Sequence, residues 1–148
     1  VQYLAVVAGS SSGNYYAPDY SRLLVFRLGG DLQLPPALSF TPPVLNPPAA
    51  TATAEILAQG ENLYQQSCFI CHADPGTGGY RSRIGLFPDL TYSPALNSAE
   101  LFKATVLDGI RSANGMVSFA SVIDEAEAET IRAYLIEKAN ELLASQQQ

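Results

Sequence analysis

The sequence predicts a mainly α-helical domain that follows a proline-rich linker and two short β-strands. Three observations support this division of the 148 residues. Six of the ten prolines fall between Pro35 and Pro48, β-rich apolar runs precede them, and apolar residues recur at helical spacing after them. We therefore assign strands to residues 1–30, a linker to residues 31–54 and a helical domain to residues 55–148.

Composition excludes several classes of protein. Hydrophobic residues make up 47% of the chain and charged residues 15%, which excludes wholesale disorder. The formal net charge of −6 argues against a nucleic-acid partner, because such a protein needs a basic face. The apolar run from Leu4 to Ala8 is too short to span a bilayer, and it lacks the flanks of a signal peptide.

Two strand-like runs begin the chain, Tyr3–Ala8 and Arg22–Leu28, with turn residues between them. Neither run alternates cleanly between apolar and polar residues, so we expect both faces of each strand to be buried. A ribbon of two strands cannot bury both of its own faces. We therefore expect inner strands of a larger sheet, and the start at Val1 without Met is typical of a fragment or a processed product.

The linker contains no charged residue between Leu32 and Ala54. Proline fixes φ and disfavours helix in the residue before it, so this segment should be extended. Its apolar residues suggest that it lies along a protein surface as a semi-rigid strap.

Capping residues mark three helices after the linker. Each begins at a side chain that can accept a hydrogen bond from the first helical turn. The predicted helices run from a Thr53 cap to about Ser67, over Ala99–Asp108 between a Ser98 cap and Gly109, and from an Asp124 cap with Glu127 to about Ala144.

Cys68, Cys71 and His72 form the pentapeptide C-x-x-C-H, which uses both cysteines and the only histidine. Two thiols at this spacing on a helical turn can both add to vinyl groups on one edge of a haem. The next residue then directs an imidazole at the iron. The motif therefore predicts covalent haem c on Cys68 and Cys71, with His72 as an axial ligand.

Three other interpretations of this motif compete with haem attachment. A redox-active C-x-x-C usually lies between a strand and a helix of a βαβ unit, whereas a predicted helix precedes this one. A structural zinc site takes four ligands, and the chain offers two cysteines and one histidine. The third is an incidental buried or disulfide-linked pair. Haem attachment is favoured because the pentapeptide has that specific chemical role.

Met116 is the only methionine and lies in a loop between two predicted helices. A loop lets its sulfur approach iron from the face opposite His72, and His/Met is an established axial pair. The alternative is a methionine that fills a gap in the core. The only lysines, Lys103 and Lys138, fall on helices, so Met116 is the favoured second ligand.

Residues 55–145 resemble the class I cytochrome c family. Pro88 matches the family's proline, which implies that its carbonyl accepts a hydrogen bond from Nδ1 of His72 and orients the imidazole. The residues that match the crossing of the family's terminal helices are Gly60, Tyr64, Ile131, Tyr134 and Leu135.

The whole chain resembles the C-terminal end of quinohaemoprotein alcohol dehydrogenases, on the segments Leu24–Gly30, Asn114–Phe119 and Ile131–Ile136. In that family a β-propeller holds pyrroloquinoline quinone (PQQ) and Ca²⁺, and a proline-rich linker leads to a cytochrome c domain. The resemblance implies that residues 1–30 are the last propeller strands and that residues 55–148 are a class I cytochrome c domain.

The segment from Asp74 to Arg83 departs from the family pattern as an insert-like loop. Arg81 and Arg83 are candidates for bonds to the haem propionates, because arginine pairs with carboxylates through two parallel hydrogen bonds. Tyr80 is a candidate propionate donor or a wedge on the haem edge. The alternative is that both arginines are solvated loop cations.

The resemblance implies that the haem relays electrons singly from PQQ to an external acceptor, which is a cytochrome, a copper protein or a quinone. No residue that oxidises a substrate is identifiable, so the rest of the propeller would be the catalytic partner. Assembly of covalent haem implies export, and we expect a periplasmic location. Two alternatives stay open: a freestanding soluble cytochrome carrier and a haem-based gas sensor.

Overall fold

The structure is a computed structural model that describes residues 2–8, 22–33, 44–76 and 87–147. Short 3-10 turns cover residues 90–92, 94–97 and 112–114. The described part of the chain is mainly helical, as the sequence predicts. Its strands and helices are β1 Tyr3–Ala8, β2 Arg22–Arg27, α1 Ala54–Ser67, α2 Phe69–His72, α3 Ala99–Val106 and α4 Glu125–Gln146.

Strands β1 and β2 pair as an antiparallel ribbon, which confirms the two predicted strands. Apolar side chains occupy both faces, and within the described residues they stay largely open to solvent: Val7 is 79% exposed and Leu23 is 67% exposed. One face carries the pairs Leu4–Phe26 and Val6–Leu24, and the other carries Tyr3–Arg27, Ala5–Val25 and Val7–Leu23.

Helices α1 and α4 cross at Gly60, which is buried. A Cβ atom at this position would lie 2.6 Å from the carbonyl oxygen of Thr130 and 2.7 Å from Cβ of Tyr134. Packed interiors leave no room for such an approach. Glycine at position 60 therefore lets the two helix backbones come together, as the family resemblance implies.

The core lies where α1, α3 and α4 meet. Tyr64 of α1 is fully buried, and its ring centroid lies 5.7 Å from that of Tyr134 in α4. Ile131 and Leu135 of α4 are also fully buried, and Phe102 and Val106 of α3 complete this layer. In the described part of the chain, none of the helices has the length and apolarity that crossing a bilayer requires.

The helix starts agree with the predicted caps. Asp124 accepts a hydrogen bond from the backbone nitrogen of Glu127 at 2.8 Å, and the Glu127 carboxylate accepts one from the Asp124 nitrogen at 2.9 Å. This reciprocal pair is a capping box. Ser98 accepts from the nitrogen of Leu101 at 3.1 Å, and Thr53 caps α1.

The predicted end of α3 at Asp108 is wrong by two residues, because the helix ends at Val106. The nitrogens of Leu107 and Asp108 both donate to the carbonyl of Lys103, at 2.7 and 3.4 Å. The second bond spans five residues, so the regular four-residue pattern of the helix ends before Gly109. Gly109 then adopts a φ of +69°, which glycine reaches without steric cost.

The described part of the linker lies along the helical domain. Leu45 is only 7% exposed. The Asn97 side chain donates to the carbonyl of Asn46 at 3.2 Å, and the Asn140 side chain donates to that of Pro48 at 2.9 Å. Residues 44–48 are therefore docked by the burial of Leu45 and by two side-chain hydrogen bonds, whereas residues 34–43 lie outside the described residues.

Candidate functional site

The C-x-x-C-H pentapeptide consists of Cys68, which follows the end of α1, and the single helical turn α2. The nitrogen of Cys68 donates to the carbonyl of Tyr64 at 2.8 Å, which joins the turn to α1. The nitrogens of Cys71 and His72 donate in turn to the carbonyl of Cys68, at 3.2 and 2.9 Å. Both cysteines are free thiols on a single turn, the arrangement that attachment to one edge of a haem requires.

Burial raises the pKa of the Cys68 thiol to about 12, and the neighbouring Cys71 adds to the rise. Cys68 is therefore a neutral thiol at neutral pH. Thiol–disulfide exchange needs a thiolate, so burial disfavours Cys68 as the attacking thiol in such an exchange.

His72 is buried, with 6% of its surface exposed. Its Nδ1 lies 2.8 Å from the carbonyl oxygen of Pro88, so the hydrogen bond implied by the family resemblance is present. A carbonyl only accepts, so Nδ1 carries the proton and the lone pair of the neutral imidazole is on Nε2. Burial lowers the pKa of His72, while the Pro88 bond and the Asp89 charge act in the opposite direction.

Tyr64 fastens the backbone directly after His72. Its hydroxyl donates to the carbonyl oxygen of Ala73 at 2.6 Å. Ala73 has a φ of +56°, a conformation that costs an alanine energy and needs support from its surroundings. The sequence pattern marks Tyr64 only as a residue of the helix crossing, and no local signal reveals this second contact.

Asp89 is a buried carboxylate next to Pro88, with 2% of its surface exposed. Its Oδ1 accepts hydrogen bonds from the nitrogens of Gly76 and Thr91, at 3.1 and 3.0 Å, and from the Thr91 hydroxyl at 2.8 Å. The sequence interpretation missed this residue. The available signal was the pattern Asp-x-Thr, since aspartate commonly accepts from the nitrogen two residues ahead.

Met116 lies half-buried in the loop between α3 and α4 and packs against the core cluster that contains Cys68. The loop is anchored to the end of α3, where the nitrogen of Phe119 donates to the carbonyl of Val106 at 2.8 Å. The Ser118 hydroxyl also donates to the carbonyl of Leu107. The fold thus places Met116 on the same core as the pentapeptide, in a separate supported loop.

The other candidates contribute less to the described site. Lys103 and Lys138 form ion pairs with Glu125 and Glu141, at 3.6 and 2.9 Å. Tyr80, Arg81 and Arg83 lie outside the described residues.

The crossed helices, the paired thiols and the histidine held by a proline carbonyl define a small helical cytochrome c domain, and these residues fit a covalently held haem. Residues 55–135 match the family described as cytochrome c oxidase, cbb3-type, subunit III. The chain belongs to this family of cytochrome c domains, whose role is electron transfer through haem c.

Three relatives extend the similarity to most of the chain. The quinohemoprotein alcohol dehydrogenase ADH IIB of Pseudomonas putida is 35% identical over 93% of this chain. The dehydrogenase subunit of a quinone alcohol dehydrogenase from Gluconobacter oxydans is 31% identical over 94%. A lupanine 17-hydroxylase [cytochrome c] from a Pseudomonas species is 31% identical over 93%. The chain spans only 18–20% of the length of these relatives.

Proposed function

We propose that Cys68 and Cys71 attach haem c covalently and that His72 and Met116 are the axial ligands of its iron. The hydrogen bond from His72 Nδ1 to Pro88 carries the proposal. Metal-binding histidines commonly donate their second ring nitrogen to such an acceptor, which fixes the tautomer and the ring orientation. Met116 supports it as the one thioether of the chain, in an anchored loop on the same core.

The haem, when bound, supplies one-electron chemistry. The residues of the chain hold it and control its surroundings. The two thiols fix one haem edge, the Pro88 carbonyl holds the imidazole plane, and Tyr64 supports the turn that follows. Burial of His72 keeps water away from the imidazole, and the loop from α3 to α4 holds the thioether in place.

Retention of colour after acid–acetone extraction tests the attachment. The full chain, produced with cytochrome c maturation, should keep its haem on the protein. A Cys68→Ala, Cys71→Ala double variant should release any haem that it binds. Haem that leaves the unaltered protein under the same extraction would contradict covalent attachment.

Two variants at position 116 test the distal ligand. Met116→Ala should lower the reduction potential, abolish the far-red sulfur–iron band and allow carbon monoxide to bind. Met116→Leu keeps a similar side-chain volume without a ligating sulfur, so the proposal requires the same spectral loss in this variant. An unchanged spectrum in Met116→Leu would assign Met116 to packing, and carbon monoxide binding by the unaltered protein would favour the gas sensor.

We further propose that the whole protein is a quinohaemoprotein alcohol dehydrogenase. Residues 1–30 would be the last propeller strands, residues 31–54 a docked linker and residues 55–148 the domain that relays electrons from PQQ. The open apolar faces of the ribbon support this proposal, as do the relatives named above. PQQ and Ca²⁺ would then lie in the propeller, the acceptor would be a cytochrome, copper protein or quinone, and the location would be periplasmic.

Isolation of the natural assembly from a periplasmic fraction tests this second proposal. We expect a polypeptide several times longer than 148 residues, with PQQ, Ca²⁺ and haem bound together. A primary alcohol should reduce the haem in that assembly, and chelation of Ca²⁺ should stop the reduction. A natural protein of this length, with haem and no quinone, would favour the freestanding carrier.

A further inference from the structure

We propose that Asp89 is a positioning residue for the axial imidazole. Its buried carboxylate fixes the Pro88 carbonyl against His72 and places a negative charge beside that hydrogen bond. The inference rests on the proposed role of His72 as an iron ligand. Asp89 then has two effects: it holds the hydrogen bond between His72 and Pro88 in place, and its charge lowers the reduction potential of the iron.

The direction of the Pro88 carbonyl depends on Asp89. The carbonyl belongs to the rigid peptide plane between the two residues, so it turns with the backbone of Asp89. Pro88 has no N–H with which to fix itself, and it is exposed. The φ of Asp89 is −67° and its ψ is 120°, an extended conformation that its own anchored side chain holds.

One oxygen atom of Asp89 joins the two chain segments of the site. Oδ1 accepts from the nitrogen and the hydroxyl of Thr91, which follow Pro88 in sequence. It also accepts from the nitrogen of Gly76, which follows His72 by four residues. The carboxylate therefore clamps the segment after His72 to the segment of Pro88, which maintains the 2.8 Å separation of Nδ1 and the carbonyl oxygen.

Three hydrogen-bond donors converge on Oδ1 of Asp89, and burial at 2% exposure limits the screening of this carboxylate by water. The carboxylate belongs to the residue directly after Pro88, whose carbonyl oxygen lies 2.8 Å from Nδ1 of His72. A negative charge at this place stabilises the more positive, oxidised iron. It should therefore lower the reduction potential.

The experiment compares four variants of the haem-loaded full chain. Asp89→Asn keeps an Oδ1 acceptor and removes the charge, whereas Asp89→Ala removes both. Thr91→Val removes one donor and keeps the charge, and Asp108→Asn is a matched control because Asp108 is exposed. Reduction potentials are measured by spectroelectrochemical titration. The Nδ1 proton is followed in the reduced protein by ¹⁵N-histidine labelling, which marks His72 alone because the chain has one histidine.

The charge and the clamp predict different results. Asp89→Asn should raise the potential above that of Asp108→Asn while the Nδ1 proton stays protected. Asp89→Ala should also speed exchange of this proton about tenfold, because it removes the buried acceptor that holds the two segments together. Thr91→Val should speed the exchange by a smaller factor and leave the potential near that of the unaltered protein.

Equal potentials in Asp89→Asn and Asp108→Asn would overturn the electrostatic role. Unchanged exchange in both Asp89→Ala and Thr91→Val would overturn the clamp. If Asp89→Ala does not fold, Asp89→Asn and Thr91→Val still decide the two parts separately. Failure of the proposed function is a different observation, because the unaltered protein would then release its haem or lack a haem-shifted His72 signal.

Discussion

The β1–β2 ribbon and the helical domain place similar side chains in opposite environments. Leu23 in the ribbon is 67% exposed, and Leu135 in α4 is fully buried. Among the described residues, each strand of the ribbon pairs only with the other and the apolar side chains on both faces stay largely exposed, whereas α1, α3 and α4 bury apolar side chains in a shared core. A lone two-stranded ribbon is marginal in water. The comparison indicates that the helical domain contains its own core and that the ribbon depends on a surface that the described residues do not supply.

The largest effect should come from a side chain at the α1–α4 crossing. A Cβ added at position 60 would lie 2.6 Å from the carbonyl oxygen of Thr130, and Gly60→Val adds two methyl groups beyond that Cβ. The helices would have to separate along their whole contact, so we expect loss of cooperative unfolding in thermal denaturation followed by circular dichroism.

Gly60→Ala should still destabilise the domain by about 1–3 kcal/mol, the usual range for overpacking, although alanine has the better helix propensity. The control is Gln65→Ala, an exposed position on the same helix, which should change stability by less than about 0.5 kcal/mol. A gain in stability in Gly60→Ala would show that the crossing tolerates a wider separation.

The next largest effect should come from shortening a buried leucine of the helical domain, compared with an exposed leucine of the ribbon. Leu135→Ala removes a fully buried side chain and should cost the helical domain about 2–5 kcal/mol. Leu23→Ala removes a mostly exposed one and should change the unfolding of that domain by less than about 0.5 kcal/mol. Urea unfolding of the two variants measures the difference. A comparable loss in Leu23→Ala would mean that the ribbon shares the helical core, and the comparison would fail.

The sequence predicts those parts of the molecule that depend on local signals. Thr53, Ser98 and Asp124 mark the helix starts because capping is a matter of neighbouring residues, and C-x-x-C-H identifies its chemistry by spacing alone. The role of Asp89 was not predicted, because it depends on a hydrogen bond from Gly76, which lies 13 residues earlier in the sequence. A contact between distant segments leaves no periodic pattern in either one.

A smaller effect should follow from the start of α4. Asp124→Ala removes both the acceptor of the capping box and a negative charge at a helix N-terminus, which together should cost about 1 kcal/mol. Asp108→Ala removes another exposed aspartate, which does not cap a helix. Chemical unfolding should separate the two variants. Equal stability would show that tertiary packing alone determines where α4 begins.

The smallest effect concerns the linker. It is less exposed than the ribbon and less buried than the helical core, because the burial of Leu45 and two side-chain hydrogen bonds dock it on the helical domain. Asn140 donates both to the carbonyl of Pro48 and to that of Ile136 within α4. Asn140→Ala removes the first bond, while the better helix propensity of alanine offsets the loss of the second. Global stability should therefore stay within about 0.5 kcal/mol of the unaltered protein.

The local consequence should still be measurable by limited proteolysis with elastase, which cleaves after small residues such as Ala49 and Ala50. Loss of a hydrogen bond worth about 1 kcal/mol should raise the population of the undocked linker, and with it the cleavage rate, about fivefold. Asn62→Ala is the control, because Asn62 is an exposed asparagine of α1 that accepts from Gln66 at 2.8 Å within the same helix. Cleavage at the same rate in both variants would assign the docking of the linker to the burial of Leu45 alone.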